Sequence, residues 1–356
     1  MGWLKERLGV DLPIIQAPMA GTGTPELAAA VSNAGAIGSI AIGAGKPEAG
    51  RDQIRATRAA TNHPFNVNLF CHAPPTRDPD REQAWIDRLA PLFARFGTRP
   101  PDGLGEIYRS FVEDDAMLDM LVEERPALVS FHFGLPSAQR IARLREAGIA
   151  VIASATNPDE GRAVAAAGLD AVVAQGFEAG GHRGQFDPAS PDPCLGTLAL
   201  VRLLASGLDL PVIAAGGIMD GAGIAACLAL GAQAAQLGTA FVACDETVAD
   251  AAFRSALFGE GAHRTTMTAA ISGRRARCLP NAITRFGESV TAAEIPDYPI
   301  AYDAGKALNA AAKAAGEGGY GAQWAGQGAP LARAMPAARL VETLATELAA
   351  AEAFRS

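Results

Sequence analysis

The feature that most restricts the fold of this chain is an alternation of strand and helix that recurs eight times. Each short apolar run is followed by a longer segment with helical periodicity or alanine-rich composition. The predicted strands cover residues 13–19, 36–41, 65–70, 127–132, 150–154, 171–175, 211–215 and 234–238. Eight strands that each precede a helix are typical of a closed (β/α)₈ TIM barrel, and the alternative left open by pattern alone is an open doubly wound sheet.

Two stretches interrupt the alternation. Between the third and fourth strands, proline-rich turns flank a predicted helix over 81–96, and a second helix is predicted over about 104–124. Beyond the eighth strand we predict a helix after Asp245, another over about 296–315, and a last one over 331–354.

These interruptions suggest a division of the chain. The predicted parts are a barrel over 1–244 with a helical insertion at about 72–124, a smaller substrate or lid domain over 245–325, and a segment over 326–356 whose helix packs back on the barrel.

Charge and composition favour small-molecule chemistry. The net charge is −8 and no block of lysine and arginine occurs, so we expect neither nucleic acid nor a membrane surface as a partner. The five cysteines are scattered and odd in number, and the first residues lack the apolar core of a signal peptide. We therefore expect a cytoplasmic protein with reduced thiols, no metal site, and a monomeric or homodimeric state.

The loop that follows the sixth strand carries the strongest candidate for chemistry. Residues 175–184 read Gln-Gly-Phe-Glu-Ala-Gly-Gly-His-Arg-Gly, so His182 follows the glycines Gly180 and Gly181 at the end of a strand, where barrels gather their ligands. Arg183 is expected to anchor the loop or a carboxylate, because guanidinium does not release its proton.

Glycine turns after the seventh and eighth strands suggest a phosphate cradle. The two turns contain Gly216 and Gly217, and then the run Gln236, Leu237, Gly238 and Thr239. Consecutive backbone N–H groups at these positions of a barrel frequently bind phosphate. A phosphate there, with a planar ring near the barrel axis, suggests FMN.

Other strand ends offer groups for the ring. Ala17, Pro18 and Met19 end the first strand, and Asn68 and Gln175 supply amides at the third and sixth. Met19 is equally consistent with core packing, and Asn68 with a side chain that caps a loop.

The order of these motifs resembles the nitronate monooxygenases, formerly called 2-nitropropane dioxygenases. The resemblance covers nearly the whole chain and rests on the runs at 16–21, 24–28, 65–69, 129–134, 178–184 and 236–239. It implies an FMN-containing barrel that oxidises alkyl nitronates, such as propionate 3-nitronate, with O₂ to a carbonyl compound and nitrite. It also implies that His182 is the catalytic histidine and that the glycine turns, Asn68 and Gln175 hold FMN.

A tyrosine and lysine pattern near the carboxyl terminus resembles the substrate wall of class I enzymes. Tyr298, Tyr302 and Lys306 are spaced to share one helix face, and Tyr108 is a further candidate. Hydroxyls and a cation would orient a nitronate anion. The alternative is an amphipathic face with Lys306 in solvent.

Three questions remain open at this stage. His182 could stabilise an anion if protonated, or take the α-proton of a neutral nitroalkane if neutral. The same barrel could serve an FMN-dependent NAD(P)H enoyl-thioester or quinone reductase. It could also be a flavin- or phosphate-binding protein without turnover.

Overall fold

Eight parallel strands form the centre of the computed structural model, which describes residues 2–353. Numbered in chain order, the strands of the molecule are β1 (Ile14–Gln16), β2 (Gly38–Ala41), β3 (Phe65–Phe70), β4 (Leu128–His132), β5 (Ala150–Ala155), β6 (Ala171–Gln175), β7 (Gly181–His182), β8 (Val212–Ala215), β9 (Ala234–Leu237), β10 (Thr266–Thr268) and β11 (Ala276–Cys278). All except β7, β10 and β11 belong to the central sheet. Strands β1 and β9 pair in parallel, and a bridge between Ile15 and Ile37 joins β1 to the segment that enters β2. The sheet therefore closes, which confirms the predicted barrel.

The barrel strands are buried on both sides. Strands β3, β5 and β6 are buried along their whole length, as expected where side chains fill the barrel on one face and helices cover the other. This explains why β5 and β6 are mostly apolar, whereas the two asparagines of β3, Asn66 and Asn68, are hydrogen-bonded to Ser130.

Helices surround the barrel and several begin at side-chain caps. They are α1 (Trp3–Leu8), α2 (Pro25–Asn33), α3 (Pro47–Ala60), α4 (Pro79–Arg95), α5 (Asp115–Glu124), α6 (Ala138–Glu146), α7 (Pro158–Ala166), α8 (Thr197–Gly207), α9 (Gly221–Ala229), α10 (Ala251–Leu257), α11 (Ala282–Gly287), α12 (Ile300–Ala314) and α13 (Ala337–Ala353). Thr24 Oγ1 accepts a hydrogen bond from the backbone N–H of Leu27 at 3.0 Å, as predicted for the start of α2.

Two predicted helices have different limits in the structure. The helix predicted over about 104–124 begins only at Asp115, because Asp114 caps the backbone N–H of Met117 and the preceding residues are irregular. The last helix begins at Ala337 rather than at Leu331, since Pro336 precedes it and residues 329–331 form a separate 3₁₀ turn. Its predicted end at Phe354 lies outside the described residues.

A small antiparallel sheet covers one side of the barrel mouth. Strand β11 pairs with β10 on one edge and with β7 on the other, and Ala276 is the partner of His182. The histidine loop is therefore held by a strand that lies almost a hundred residues further along the chain.

A second apolar cluster lies above the barrel. Helix α4 of the insertion packs against α12, and Trp85, Phe93, Ile300 and Leu308 are among its buried members. This cap cluster is separate from the main core between barrel and outer helices. The division into domains predicted from sequence remains a prediction. Within residues 2–353, no helix is long and apolar enough to cross a membrane.

Candidate active site

A cavity of about 430 Å³ opens at the carboxyl ends of the barrel strands. This volume falls in the usual range for sites that bind small molecules and cofactors. All but one of the residues predicted to contact cofactor or substrate line it. They are Ala17, Pro18, Met19, Asn68, Tyr108, Gln175, Gly180, Gly181, His182, Gly216, Gly217, Gln236, Gly238, Thr239, Tyr298, Tyr302 and Lys306. The exception is Leu237, whose side chain is fully buried in the main core. It alternates with Gln236 along β9 and so points to the other side of the strand.

The rim turns after β8 and β9 present unused backbone donors. Gly216 and Gly217 have φ values of 122° and 71°, which glycine adopts readily. Within residues 2–353, the N–H groups of Gly217, Gly238 and Thr239 have no hydrogen-bond acceptor. Free amide donors at a barrel rim are suited to an anion such as phosphate.

Both polar atoms of the Gln175 side-chain amide bond the backbone of the histidine loop. Its Nε2 donates to the carbonyl of His182 at 2.9 Å, and its Oε1 accepts from the N–H of Gly184 at 2.7 Å. Arg183 binds Asp192 at 2.9 Å, which confirms its predicted role as an anchor. Gln175 thus fixes the shape of the loop while it lines the cavity.

Gly180 shows how closely other backbone approaches this loop. A Cβ at this position would lie 2.5 Å from the backbone nitrogen of Gly326, a distance that no real Cβ adopts. Only glycine fits there, so the segment after Trp324 lies directly against the histidine loop.

The imidazole of His182 is surrounded by aromatic rings and one hydroxyl. Its Nε2 lies 2.8 Å from Ser272 Oγ, and its ring centroid is 5.1 Å from that of Trp324 and 5.4 Å from that of Tyr298. Burial, followed by the nearby side chains of His132, Arg274 and His72, lowers the pKa of His182 to about 3. In this environment the free imidazole is neutral at physiological pH.

The tyrosines and Lys306 form the wall next to His182, since the ring centroid of Tyr302 is 6.1 Å from that of His182. Lys306 Nζ lies 4.6 Å from the ring centroid of Tyr108 and 5.3 Å from that of Tyr302, so both rings stabilise the ammonium. Burial is the main cause that lowers the pKa of Lys306 and raises that of Tyr302 to about 12. The phenol of Tyr302 is therefore a hydrogen-bond donor at neutral pH.

Tyr298 reaches this wall from a different position than predicted. The helix begins at Ile300, and a cis peptide bond joins Tyr298 to Pro299 before it, so Tyr298 does not share a helix face with Tyr302 and Lys306. The prediction of three groups on one helical stripe is wrong in this respect. The ring of Tyr298 nevertheless lines the cavity.

The strand-end groups lie where the sequence suggested. Ala17, Pro18 and Met19 form one side of the cavity, and Met19 also packs against the main core. The amide nitrogen of Asn68 donates to Ser130 Oγ at 2.9 Å and also to the carbonyl of Ser130. Asn68 is thus oriented by the neighbouring strand.

Sequence analysis missed several groups around His182. The sequence patterns single out none of Trp324, Ser272 and Phe133 as a contact of His182. Their partners are distant in sequence, so no local pattern could reveal these contacts. The scarcity of tryptophan, three in the chain, was the one signal that favoured Trp324.

Charge in the cavity is one-sided. Of the lining residues that the structure describes, only Lys306 carries a fixed charge, and none is a carboxylate. Within the same part of the chain, no group of three or more His, Cys, Asp or Glu side chains could hold a metal ion. A closed barrel with rim amide donors, a neutral imidazole and an adjacent cationic wall is suited to a TIM-barrel oxidoreductase of the flavin type, the class to which the comparisons below assign the chain.

Comparisons with known proteins identify the family. The family model described as "Nitronate monooxygenase" matches residues 3–347. The chain therefore belongs to the nitronate monooxygenase family. It is 63% identical over 341 residues to the nitronate monooxygenase of Paraburkholderia phytofirmans, covering 96% of this chain and 93% of that one. It is 58% identical over 341 residues to that of Pseudomonas aeruginosa, covering 96% and 97%.

A solved structure agrees in fold. The nitroalkane oxidase from Streptomyces ansochromogenes superposes with a TM-score of 0.89 at 42% identity, over 99% of this chain and 100% of that one. The chain is therefore an enzyme that acts on nitronates, and its family is generally flavin-dependent.

Proposed function

We propose that the enzyme uses FMN and O₂ to oxidise alkyl nitronates of the propionate 3-nitronate type to a carbonyl compound and nitrite. The observation that carries this proposal is the charge of the cavity. Among the lining residues that the structure describes, Lys306 carries the only fixed charge, and its neighbours are neutral hydrogen-bond donors. Such a wall favours an anion and provides no carboxylate that would repel it.

FMN fits the groups that line the cavity. The free N–H groups of Gly217, Gly238 and Thr239 would hold its phosphate, while Ala17, Pro18 and Met19 would lie along its ring, and Asn68 and Gln175 near its polar edges. FMN would supply electron transfer between the nitronate and O₂. The remaining work falls to the side chains of the protein.

The side chains bind and orient the substrate. Lys306, with the hydroxyls of Tyr108, Tyr298 and Tyr302, would bind the oxygens of the nitronate or its carboxylate. His182, neutral because of its lowered pKa, would face the bound nitronate as an uncharged imidazole rather than as a cation. A neutral imidazole also leaves Lys306 as the group that neutralises the bound anion.

The cofactor proposal is tested by the purified protein. We expect a yellow protein whose absorption spectrum is that of an oxidised flavin and which releases FMN, rather than FAD, on denaturation. A colourless protein that does not take up FMN would contradict the proposal.

The reaction is tested against the reductase alternative. We expect propionate 3-nitronate to bleach the flavin rapidly without oxygen and NADH to bleach it slowly or not at all. Rapid bleaching by NADH alone would instead favour a reductase.

The role of His182 is tested by substitution. We expect His182→Asn to keep its FMN content and to lower nitronate oxidation at least about tenfold, since it removes the imidazole from the cavity. His263→Asn is the matched control, because His263 is exposed on a 3₁₀ turn and does not line the cavity. Full activity in His182→Asn would refute the assignment.

The five free cysteines, four of them buried, support a reducing compartment such as the cytoplasm. We propose a monomer or homodimer, which light scattering would distinguish.

A further inference from the structure

Arg274 is a buried cation without an ion pair. The residue is 5% exposed, its guanidinium carbon lies 4.2 Å from the ring centroid of Phe133, and one of its terminal nitrogens donates to the carbonyl of Gln185. Its Nε has no hydrogen-bond partner, and it forms no salt bridge with a carboxylate among residues 2–353. A buried charge left this incompletely compensated is costly, so its retention needs an explanation.

The turn that carries Arg274 contacts the active site in three ways. Ser272 Oγ lies 2.8 Å from Nε2 of His182. Gly273 has a φ of 88°, and a Cβ there would lie 2.5 Å from the carbonyl oxygen of Pro296, so the turn packs against the segment that leads to Tyr298. Arg274 itself lies over Phe133, whose ring centroid is 5.6 Å from that of His182.

Phe133 supports this arrangement from an unusual backbone conformation. Its φ is 75°, in the left-handed region that side chains other than glycine rarely adopt, and it is 1% exposed. Such residues persist where the surrounding structure holds them, and they are common at functional sites. The ring separates the guanidinium from the cavity by apolar material rather than by water, which weakens screening.

The carboxylates near Arg274 accept hydrogen bonds from other groups, so the positive potential of Arg274 extends toward the site. The acidic groups that act on it are Glu160, which accepts from Thr156 and from the N–H of Phe186, and Asp187, which accepts from Ser190 and the N–H of Ala189. Tyr298 is the remaining titratable group that raises the pKa of Arg274. Its own pKa is raised by burial, so its phenol is neutral and does not neutralise the guanidinium. On the other side, the histidines His72, His132 and His182 each have their pKa lowered in part by Arg274.

We propose that Arg274 is a positioning residue, which acts through Phe133 to hold a positive potential on the wall of the cavity behind His182, where it adds to the effects that disfavour a charged imidazole and strengthens binding of the nitronate anion. This inference rests on the proposed role of His182. Arg274 would then be a second cation at the site besides Lys306, and it would not contact the substrate.

The test compares Arg274→Met with two matched variants. Arg140→Met is the control, because Arg140 is also buried, also lies over a phenylalanine ring and also donates to a backbone carbonyl, but it contacts Phe111 and Asp114 and does not line the cavity. Arg274→Lys restores the charge without the planar guanidinium. Each variant is first compared with wild type in melting temperature and flavin content.

Two measurements carry the test. In Arg274→Met we expect the KM for ethyl nitronate at pH 7.5 to rise about fivefold or more, with a smaller change in kcat, because a favourable interaction with the bound anion is lost. By NMR on histidine-labelled protein, we also expect His182 to titrate at a higher pH than in wild type. Arg274→Lys should reverse both changes in part, and Arg140→Met should show neither.

Several results would overturn the proposal. One is a folded Arg274→Met protein with unchanged KM and unchanged His182 titration, and another is equal effects in Arg140→Met. If Arg274→Met does not fold, Arg274→Gln takes its place with the same expected rise in KM, and a folded Arg274→Gln protein with unchanged KM and unchanged His182 titration contradicts the proposal. Failure of the His182 assignment remains distinguishable, because it shows as full activity of His182→Asn.

Discussion

Lys306 concentrates the fixed charge of the cavity lining on one side chain. Its ammonium lies against the rings of Tyr108 and Tyr302 rather than against a carboxylate. Aromatic faces stabilise a cation without neutralising it, so its charge stays available to a bound anion. Specificity for nitronates over neutral nitroalkanes should therefore depend on this residue.

We expect Lys306→Met to raise the KM for a nitronate about tenfold or more and to affect a neutral nitroalkane less, since only the anion loses a charge partner. Lys313→Met is the control, because Lys313 belongs to the same helix but pairs with Asp250 away from the cavity. Steady-state kinetics with both substrates measures the difference. Equal losses for both substrates would mean that Lys306 acts through structure and not through charge.

His72 provides a prediction about pH and stability. Burial, followed by the charge of Arg274, lowers its pKa to about 4, compared with about 6.5 in an unfolded chain. Between these values the unfolded chain binds a proton that the native protein does not, so stability falls as the pH falls from about 6.5 toward 4. The contribution is up to about 1.4 kcal/mol per pH unit.

We expect His72→Phe to reduce this loss. Both ring nitrogens of His72 lack a hydrogen-bond partner, so the substitution sacrifices no hydrogen bond and should not lower stability at pH 7.5. Urea unfolding of wild type and variant at pH 7.5 and pH 5.0 measures the effect. A variant as acid-sensitive as wild type would show that His72 is not the group responsible.

Among the elements, α3 and α5 are linked by three ion pairs to one buried carboxylate. Glu124, at the end of α5, binds Arg51, Arg55 and Arg58 of α3 at distances between 2.8 and 3.0 Å. The Glu124 side chain is buried while the arginines are partly exposed. The carboxylate therefore fixes the insertion to the outside of the barrel.

We expect Glu124→Gln to lower the free energy of unfolding by about 1–3 kcal/mol, because three cations lose their common partner and a buried site is left poorly paired. Glu123→Gln is the control, since Glu123 is exposed and binds only Arg51. Chemical denaturation measures both. A cost for Glu124→Gln no larger than for Glu123→Gln would contradict this account.

At the level of elements, the sequence predicted the barrel well, because each strand is a short apolar run between turn residues, and caps such as Thr24 mark where helices begin. The prediction failed where a local sequence pattern was applied to a residue that does not share the structure of its neighbours. The tyrosine spacing suggested one helix face, but the helix begins after Tyr298, and Leu237 was grouped with its neighbours although it points into the core. Ser272 and Arg274 could not be recognised, since only the closed fold brings them to His182.

For the whole molecule, the cavity lies between two apolar clusters. The barrel carries the glycine turns and His182, while helix α12 of the cap cluster carries Tyr302 and Lys306. Damage to the cap cluster should therefore affect the substrate wall more than the cofactor cradle.

We expect Leu308→Ala, in the fully buried part of the cap cluster, to raise the KM for a nitronate several-fold while FMN content is retained, and to cost about 2–5 kcal/mol of stability. Leu344→Ala is the control, because Leu344 is equally buried but belongs to the main core behind the barrel. Kinetics and flavin absorbance separate the two effects. Loss of FMN in Leu308→Ala with unchanged KM would contradict this assignment of parts.

The contact between Gly180 and Gly326 has a consequence for biosynthesis. The histidine loop leaves the ribosome almost 150 residues before the backbone that packs against it, and that backbone leaves no room for even a methyl group on its neighbour. A nascent chain can therefore assemble most of its strands before the pocket takes its final form. The complete pocket can therefore form only late in translation. A chain that ends before Gly326 would lack one wall of the pocket.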